Sequence, residues 1–354
     1  MSKFHSIPVA NIEKTTADCS VISFDIPSDL KKAFAYKQGQ YLTFKANING
    51  EEVRRSYSLC SSPLDNKWSV AVKKIEDGRF STFANDILKV GDTLETMPPN
   101  GRFFVECEPK VAKNYVAFAA GSGITPVLSI IKTQLALEPD STFKLFYINQ
   151  AVSTIILKEE IESLKNIYLR RFELFHFLTK QQRDIELFNG RIDEKKLDTI
   201  FSKIVDSSSI NDYFICGPNE MIFMIRDYLF NKNVSKSQVH FELFNTTGIA
   251  AKKKVKSIDT SILTEVVITE GGKKYSFKIP QGGQNVLDAA MNNHADLPFA
   301  CKGGVCCTCR AKLIEGTVEM AVNYALEQEE LDEGYILTCQ AVPTSKRVVI
   351  DFDS

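Results

Sequence analysis

The sequence predicts a multidomain chain: an antiparallel β-barrel or sandwich, then a doubly wound α/β unit on a parallel sheet, then a small α+β unit. Three observations predict it. Residues 1–108 break into short alternating segments between turns. Residues 109–244 alternate buried-type strands with stretches of helical spacing. Residues 262–354 carry a hairpin, a short helix and five of the nine cysteines, behind a small, polar and basic linker at 245–261.

In the first part the strand candidates are "SVISFDIP", "QYLTFKANING", "RRSYSLCS", "KWSVAVKKI" and "DTLETMPP", and "STFANDIL" is its one short helix. In the second, "NYVAFAAG" reads as a strand and "TPVLSIIKTQLAL" as the helix after it, with Pro126 suited to a first helical position. "TFKLFYIN", "RFELFHFLT", "DYFICG" and "QVHFELF" are further strands, with helices around "LKEEIESL" and "NEMIFMIRDYLFNKN". In the third, "TEVVITEGGKKYSFKIP" is a hairpin with a Gly-Gly turn, and "NVLDAAMNN" a short helix.

Composition excludes several classes. With 44% apolar and 25% charged residues the chain has enough core for a globular protein. A net charge of −1 points to neither nucleic acid nor an anionic membrane surface, and the Lys252–Lys256 run reads as solvated linker. The charge is uneven: residues 262–354 hold 13 acidic and 8 basic side chains. "MSKFHSIPVANIEKTT" has no apolar core of a signal peptide. The longest apolar run, "YVAFAAGSGITPVLSII", is broken by Gly121, Gly123 and Pro126, which suits strand, turn and helix and not a membrane span. The expected compartment is the reducing cytoplasm, where clustered cysteines serve as metal ligands or redox centres.

Cys301-x4-Cys306-x2-Cys309, followed after 29 residues by Cys339, is the spacing that holds a plant-type 2Fe–2S cluster. Soft thiolates suit iron–sulfide cores, and Gly303 and Gly304 allow a tight loop with N–H groups near the sulfurs. A structural zinc site is the alternative, although zinc sites usually show paired C-x2-C knuckles and this stretch has one. Cys307 breaks the spacing and is the surplus thiol.

A one-electron cluster beside a nucleotide-binding fold calls for a flavin, because a nicotinamide gives up two electrons as hydride. "LPFACKGGVCCTCRAKLIEGTVEM" with "YILTCQAVP" resembles the ferredoxin (β-grasp) domain of flavin-dependent iron–sulfur reductases. "RRSYSLCS" resembles the R-x-Y-S element of the ferredoxin–NADP reductase superfamily. The resemblance implies that Arg55 meets the FAD diphosphate, Tyr57 packs on the isoalloxazine and Ser58 sits near its reactive nitrogen, with Ser56 in the same element. It also implies a diphosphate turn at Gly78, Arg79, Phe80 and Ser81, ahead of a helix, and an antiparallel barrel ended by "PPNGRF".

"AAGSGITPVLSI" opens a helix after a strand, the context of a dinucleotide-binding turn. The superfamily resemblance assigns Gly121, Ser122, Gly123 and Thr125 to NADPH or NADH. "FICGPNEM" resembles the element that borders the nicotinamide, which assigns Cys216, Gly217 and Pro218. Tyr57, Ser58 and Cys216 are then the catalytic candidates, and Glu242 and Phe244 in "HFELF" approach the flavin. Relatives often have arginine where Gln150 stands, available to the 2′-phosphate of NADP. Ser153, Thr154 and Lys158 are other phosphate candidates, so the coenzyme stays open.

No second metal site for the substrate's own oxidation is legible. Glu173 and His176 form the one E-x-x-H, and on a strand they face opposite ways. "YLRRFELFHFLTKQQRDIELFNGRID" and "VEMAVNYALEQEELDEGYILTCQAVP" are similar to the reductase subunits of phenylacetyl-CoA epoxidases. That implies electron delivery to the oxygenase component of a multicomponent di-iron monooxygenase, or to another oxygenase, a desaturase or a hybrid-cluster protein. A zinc-stabilised binding module and a redox sensor are the readings from other classes.

Overall fold

The computed structural model describes residues 4–244 and 262–354; the linker 245–261, with Lys252–Lys256, lies outside the described residues. Residues 4–242 form one compact unit, and the described residues from 243 onward form a second.

The first unit begins with β1 (His5–Thr16), β2 (Cys19–Phe24), β3 (Tyr41–Ile48), β4 (Glu51–Ser58), β5 (Trp68–Lys73) and β6 (Thr93–Asn100). They make one antiparallel sheet in the order β4-β3-β6-β1-β2-β5. Its two edges meet at a bridge between Leu59 and Val70, so the sheet closes and leaves no open edge there. Register shifts in β1, between Val9 and Asn11 and between Lys14 and Thr16, supply bends that a small barrel needs. Phe24, Phe44, Val70 and Phe80 fill the interior. α1 (Arg79–Asp86) packs on it through Phe80 and Ala84.

The rest of this unit runs β7 (Asn114–Ala120), α2 (Ile124–Leu137), β8 (Thr142–Asn149), α3 (Lys158–Ile167), β9 (Phe172–Leu178), α4 (Glu194–Lys203), β10 (Asp212–Cys216), α5 (Asn219–Asn231) and β11 (Val239–Glu242). All five strands are parallel, in the order β11-β10-β7-β8-β9. They are apolar runs because helices cover both faces. The chain steps outward from β7 to β9 and then returns to the other side of β7. The switch point therefore lies between β7 and β10, where open α/β sheets form their ligand crevice. Pro126 falls at the third residue of α2, behind a 3-10 turn at Gly121–Gly123 that runs into the helix. Proline is tolerated there because first-turn N–H groups have no intrahelical acceptor.

Barrel and parallel sheet share a core: Cys19, Cys60, Ala71 and Phe103 pack with Ile124, Leu128 and Ile131. Ser129 Oγ donates to the Ser61 carbonyl at 2.6 Å, Ser62 and Thr133 hydroxyls bond at 2.8 Å, and Leu157 N–H donates to Thr15 Oγ1 at 2.8 Å. Burial pushes the Cys19 and Cys60 thiols up to about 12, which keeps them neutral packing residues.

The second unit holds β12 (Leu263–Glu270), β13 (Lys273–Pro280), α6 (Val286–Asn292), β14 (Arg310–Glu315), β15 (Val318–Met320), α7 (Gln328–Asp332), β16 (Tyr335–Leu337), β17 (Ala341–Pro343) and β18 (Arg347–Asp351). The main sheet runs β13-β12-β18-β14-β16, and β15 pairs β17 separately. Gly271 and Gly272, both at positive φ, make the two-residue turn of the β12–β13 hairpin. Asn285 caps α6 by accepting the Asp288 N–H at 2.8 Å. Among the described residues no helix is long and apolar enough to cross a membrane.

Candidate flavin, nicotinamide and iron–sulfur sites

β4 alternates its side chains, which sorts the R-x-Y-S element by face. Arg55 is exposed, Ser56 bonds Thr43 across the hairpin at 2.9 Å, and Ser58 is buried. The Tyr57 ring lies 5.5 Å from Phe80 and 6.3 Å from Phe44, so the β4 element and the α1 turn pack together through aromatic side chains. Burial pushes the Tyr57 phenol up, and it stays protonated.

Gly78 caps α1 without any side-chain hydrogen bond. A Cβ there would lie 2.3 Å from Ser81 Oγ and 2.4 Å from Ile75, so only glycine fits this turn. Ser81 Oγ accepts from Ile75 N–H and donates to the Gly78 carbonyl, which shapes the loop ahead of the helix. The first-turn N–H groups and the helix dipole then form an anion cradle. Arg79 is turned toward the β3–β4 end, on Glu51 at 2.7 Å and the Ile48 carbonyl at 3.3 Å.

At the switch point two glycine turns interlock. Gly121 has φ +52°, with open space where a Cβ would stand. A Cβ on Gly123 would sit 2.2 Å from the Cys216 carbonyl oxygen, and one on Gly217 would sit 2.9 Å from the Ala120 Cβ. The ends of β7 and β10 are thus pressed backbone to backbone, which sequence spacing alone does not reveal. Thr125 Oγ1 donates to the Ser122 carbonyl at 3.0 Å and holds the turn on α2, while Pro218 precedes α5.

Cys216 is fully buried and pairs in register with Glu242 on β11. Burial first, and then the Glu242 charge, push its thiol well above its usual range. Ser58 Oγ donates to Glu242 Oε2 at 2.8 Å. Burial raises the Glu242 carboxyl to about 7, against the lowering effect of that Ser58 bond. Ser58, Cys216 and Glu242, far apart in sequence, therefore meet where the barrel faces the C-terminal edge of the parallel sheet. Phe244 is exposed.

Of the phosphate candidates after β8, Thr154 bonds the backbone of Ala151 and Lys158 pairs with Glu162 at 3.7 Å; Ser153 is exposed. Glu173 and His176 lie on strand β9 and stand on opposite faces, as the alternation requires.

In the second unit the thiols group in pairs. Cys301 and Cys306 sulfurs are 3.1 Å apart, and Cys309 and Cys339 are hydrogen-bonded to each other. Cys307 instead donates to the Ala325 carbonyl at 3.0 Å. Gly303 N–H points to the Cys301 sulfur at 3.3 Å. The Cys306 bond, against burial and with help from the Gly303, Val305 and Cys306 N–H groups, lowers the Cys301 thiol below its usual range. Cys339 is lowered in the same way by Cys309. Among the described residues no three His, Cys, Asp or Glu side chains converge on one point. Two pairs of thiols suit a two-iron core, with two thiolates to each tetrahedral iron, better than a single zinc ion.

Comparison with known proteins agrees with this division. An oxidoreductase FAD-binding domain model matches residues 6–105, an oxidoreductase NAD-binding domain model 118–227, and a 2Fe-2S iron-sulfur cluster binding domain model 268–344. The chain is 40% identical over all its length to a component of the 1,2-phenylacetyl-CoA epoxidase of Escherichia coli, covering 99% of that protein. It is 31% identical over 98% of its length to the ferredoxin reductase component of the 3-ketosteroid-9-alpha-monooxygenase of Rhodococcus rhodochrous, covering 96% of it. The chain belongs to this family of iron–sulfur flavoprotein reductases. As a reductase of that family it is an oxidoreductase with FAD, NAD and 2Fe–2S domains. The reductase shares its fold with phthalate dioxygenase reductase at TM-score 0.59 and 23% identity, covering 99% of this chain and 98% of the other. It also matches an intact type IV self-sufficient cytochrome P450 monooxygenase at TM-score 0.69 and 20% identity, covering 98% of this chain and 41% of that longer one.

Proposed function

We propose that this protein draws hydride from NADPH or NADH at the β7–β10 crevice. It delivers single electrons, through FAD and a 2Fe–2S centre, to the oxygenase component of a multicomponent di-iron monooxygenase in the cytoplasm. The 40% full-length identity to an epoxidase component favours phenylacetyl-CoA ring epoxidation as the reaction served. The observation that carries the reading is the convergence of Ser58, Cys216 and Glu242 beside the interlocked glycine turns.

Arg55 and the Gly78–Ser81 turn would hold the FAD diphosphate, one by guanidinium and the other by N–H groups. Tyr57 would give the ring system a flat apolar face, with the buried Phe80 packed behind it. Gly121, Ser122, Gly123 and Thr125 would take the coenzyme diphosphate, with Cys216, Gly217 and Pro218 bordering the nicotinamide. FAD, when bound, accepts a hydride and releases electrons one at a time. Glu242, with its carboxyl near neutrality, holds a proton that the Ser58 hydroxyl can pass or receive. Cys216, neutral and buried, excludes water from the same point. Cys301, Cys306, Cys309 and Cys339 would hold the cluster. The corresponding domain limits are 1–108, 109–244 and 262–354.

NADPH and NADH consumption is measured with ferricyanide, then with candidate oxygenase subunits and phenylacetyl-CoA. The reading expects turnover with ferricyanide and acceleration by the oxygenase subunits. Without that acceleration the acceptor assignment falls, and without ferricyanide turnover the reductase reading falls with it.

A further inference from the structure

The fourth cysteine lies in the turn between β16 and β17, apart from the other three, so something must set the distance between Cys339 and the 301–309 loop. The backbone does part of this: Thr338 N–H and Oγ1 both donate to the Cys309 carbonyl, at 3.1 and 3.0 Å. Nothing in that bond reaches the Cys301 side of the loop. Gln340, the residue after Cys339, does. Its side chain is buried, and its Nε2 donates to the Lys302 carbonyl at 3.0 Å. The same nitrogen stands 3.6 Å from Cys339 Sγ, within donor range of sulfur.

The loop is shaped to receive this contact. Lys302 sits at φ +51°, a left-handed conformation that costs free energy in a non-glycine residue. It is held there by Nζ on Asp288 at 2.8 Å and above the Phe299 ring. Its carbonyl is presented inward to Gln340. Gly304 has φ +75°, and a Cβ on it would lie 3.1 Å from Gln340 Cγ and 2.8 Å from the Val322 carbonyl oxygen. The glutamine thus packs against the loop as well as bonding to it. Its own N–H and C=O are tied to Leu337 and Ala321, so the side chain leaves a fixed point.

We propose that Gln340 is a positioning residue for the iron–sulfur centre. One carboxamide nitrogen fixes the Lys302 turn relative to Cys339 and donates to the Cys339 sulfur. A donor on a ligand sulfur stabilises the extra negative charge of the reduced centre and so raises its potential. The inference rests on the four cysteines being the cluster's ligands, and it predicts more than that reading does.

Full-length wild type, Gln340→Leu and Gln340→Glu are purified anaerobically. Iron and sulfide content, the EPR spectrum of the reduced cluster and its midpoint in a redox titration are compared. Both variants keep the side chain's approximate size; leucine removes the donor, and an ionised glutamate replaces it with an acceptor. The expected result is a lower midpoint in each loaded variant, roughly a tenfold smaller reduced-to-oxidised ratio at fixed poise for leucine, the worth of one hydrogen bond. A changed EPR line shape accompanies it, while NAD(P)H–ferricyanide turnover by the flavin half is unchanged. A wild-type midpoint and line shape in either loaded variant overturns the proposal. If both variants lose iron, the melts of the cluster-free proteins decide. A melt equal to that of cluster-free wild type supports positioning, and a lost melt overturns it, because Gln340 would then be holding the fold. A wild type without iron and sulfide defeats the ligand reading itself, which is a distinguishable outcome.

Discussion

Ser58 and Glu242 are 184 residues apart in sequence and joined by a 2.8 Å hydrogen bond. One ends a barrel strand and the other ends the edge strand of the parallel sheet. The bond places a carboxyl that titrates near neutrality on the serine of the R-x-Y-S element.

Glu242→Gln tests that placement. The folded carboxyl is raised from its usual 4.5 to about 7, so between those values the folded state binds more protons than the unfolded one. Glu242 therefore costs no stability below pH 4.5, and stability falls as pH rises through the window. The glutamine variant should gain stability above pH 7, by at most about 3 kcal/mol and less for the exposure the residue keeps. It should also lose the ionisation near 7 from the pH profile of hydride transfer, with kcat down by about a hundredfold. Thermal melts and single-turnover rates between pH 4 and 9 check both.

His176 gives the opposite sign. Burial first, and then Arg183, lower its imidazole from 6.5 to about 4, and neither ring nitrogen has a hydrogen-bond partner. Between pH 6.5 and 4 the unfolded state binds the proton and the folded state refuses it, so stability falls as the solution is acidified. His176→Phe should flatten that slope and recover about 2 kcal/mol at pH 4, allowing for partial exposure. Denaturant midpoints at pH 4 and pH 8 measure it; equal slopes in both proteins would refute the assignment.

Gly123→Ala should separate binding from flavin content. The new methyl cannot coexist with the Cys216 carbonyl 2.2 Å away, so the β7 and β10 ends must move apart. FAD should stay bound, while KM for the coenzyme rises at least about tenfold and stability drops by roughly 1–3 kcal/mol. Normal coenzyme kinetics would mean that the turn does not hold the nicotinamide nucleotide.

Cys307→Ser should keep the cluster, because its thiol bonds the Ala325 carbonyl and a hydroxyl can do the same. Cys306→Ser should lose or cripple it, because it breaks the Cys301–Cys306 pair. Iron and sulfide analysis decides, and the reverse pattern would exchange the ligand assignment.

The motifs were legible because each is local: "RRSYSLCS", "GRFS", "GSGITP", "FICGP" and the cysteine run occupy single turns or strand ends. What joins them was not. The barrel closes through one bridge between Leu59 and Val70, and a lone pairing leaves no periodic signal. The resemblance placed Glu242 near the flavin, but its bond to Ser58 was not legible, because that partner comes from another domain. The grouping of four cysteines into two pairs depends on where β16 delivers Cys339. α4 was missed because "EKKLDTIFSK" buries only Leu197 and Ile200, too narrow a stripe to stand out. The first strand escaped notice because "HSIPVANIEKTT" has a proline and a broken alternation, and the structure places bulges there.

Anaerobic mixing of the full-length protein with NADPH, and separately with NADH, tests the central claim most directly. Flavin absorbance is followed by stopped flow and the cluster by freeze-quench EPR. The account predicts bleaching of FAD followed by the signal of a reduced 2Fe–2S centre, with one of the two coenzymes at least. A protein that holds zinc without sulfide, or whose flavin bleaches while its cluster stays oxidised, would contradict it.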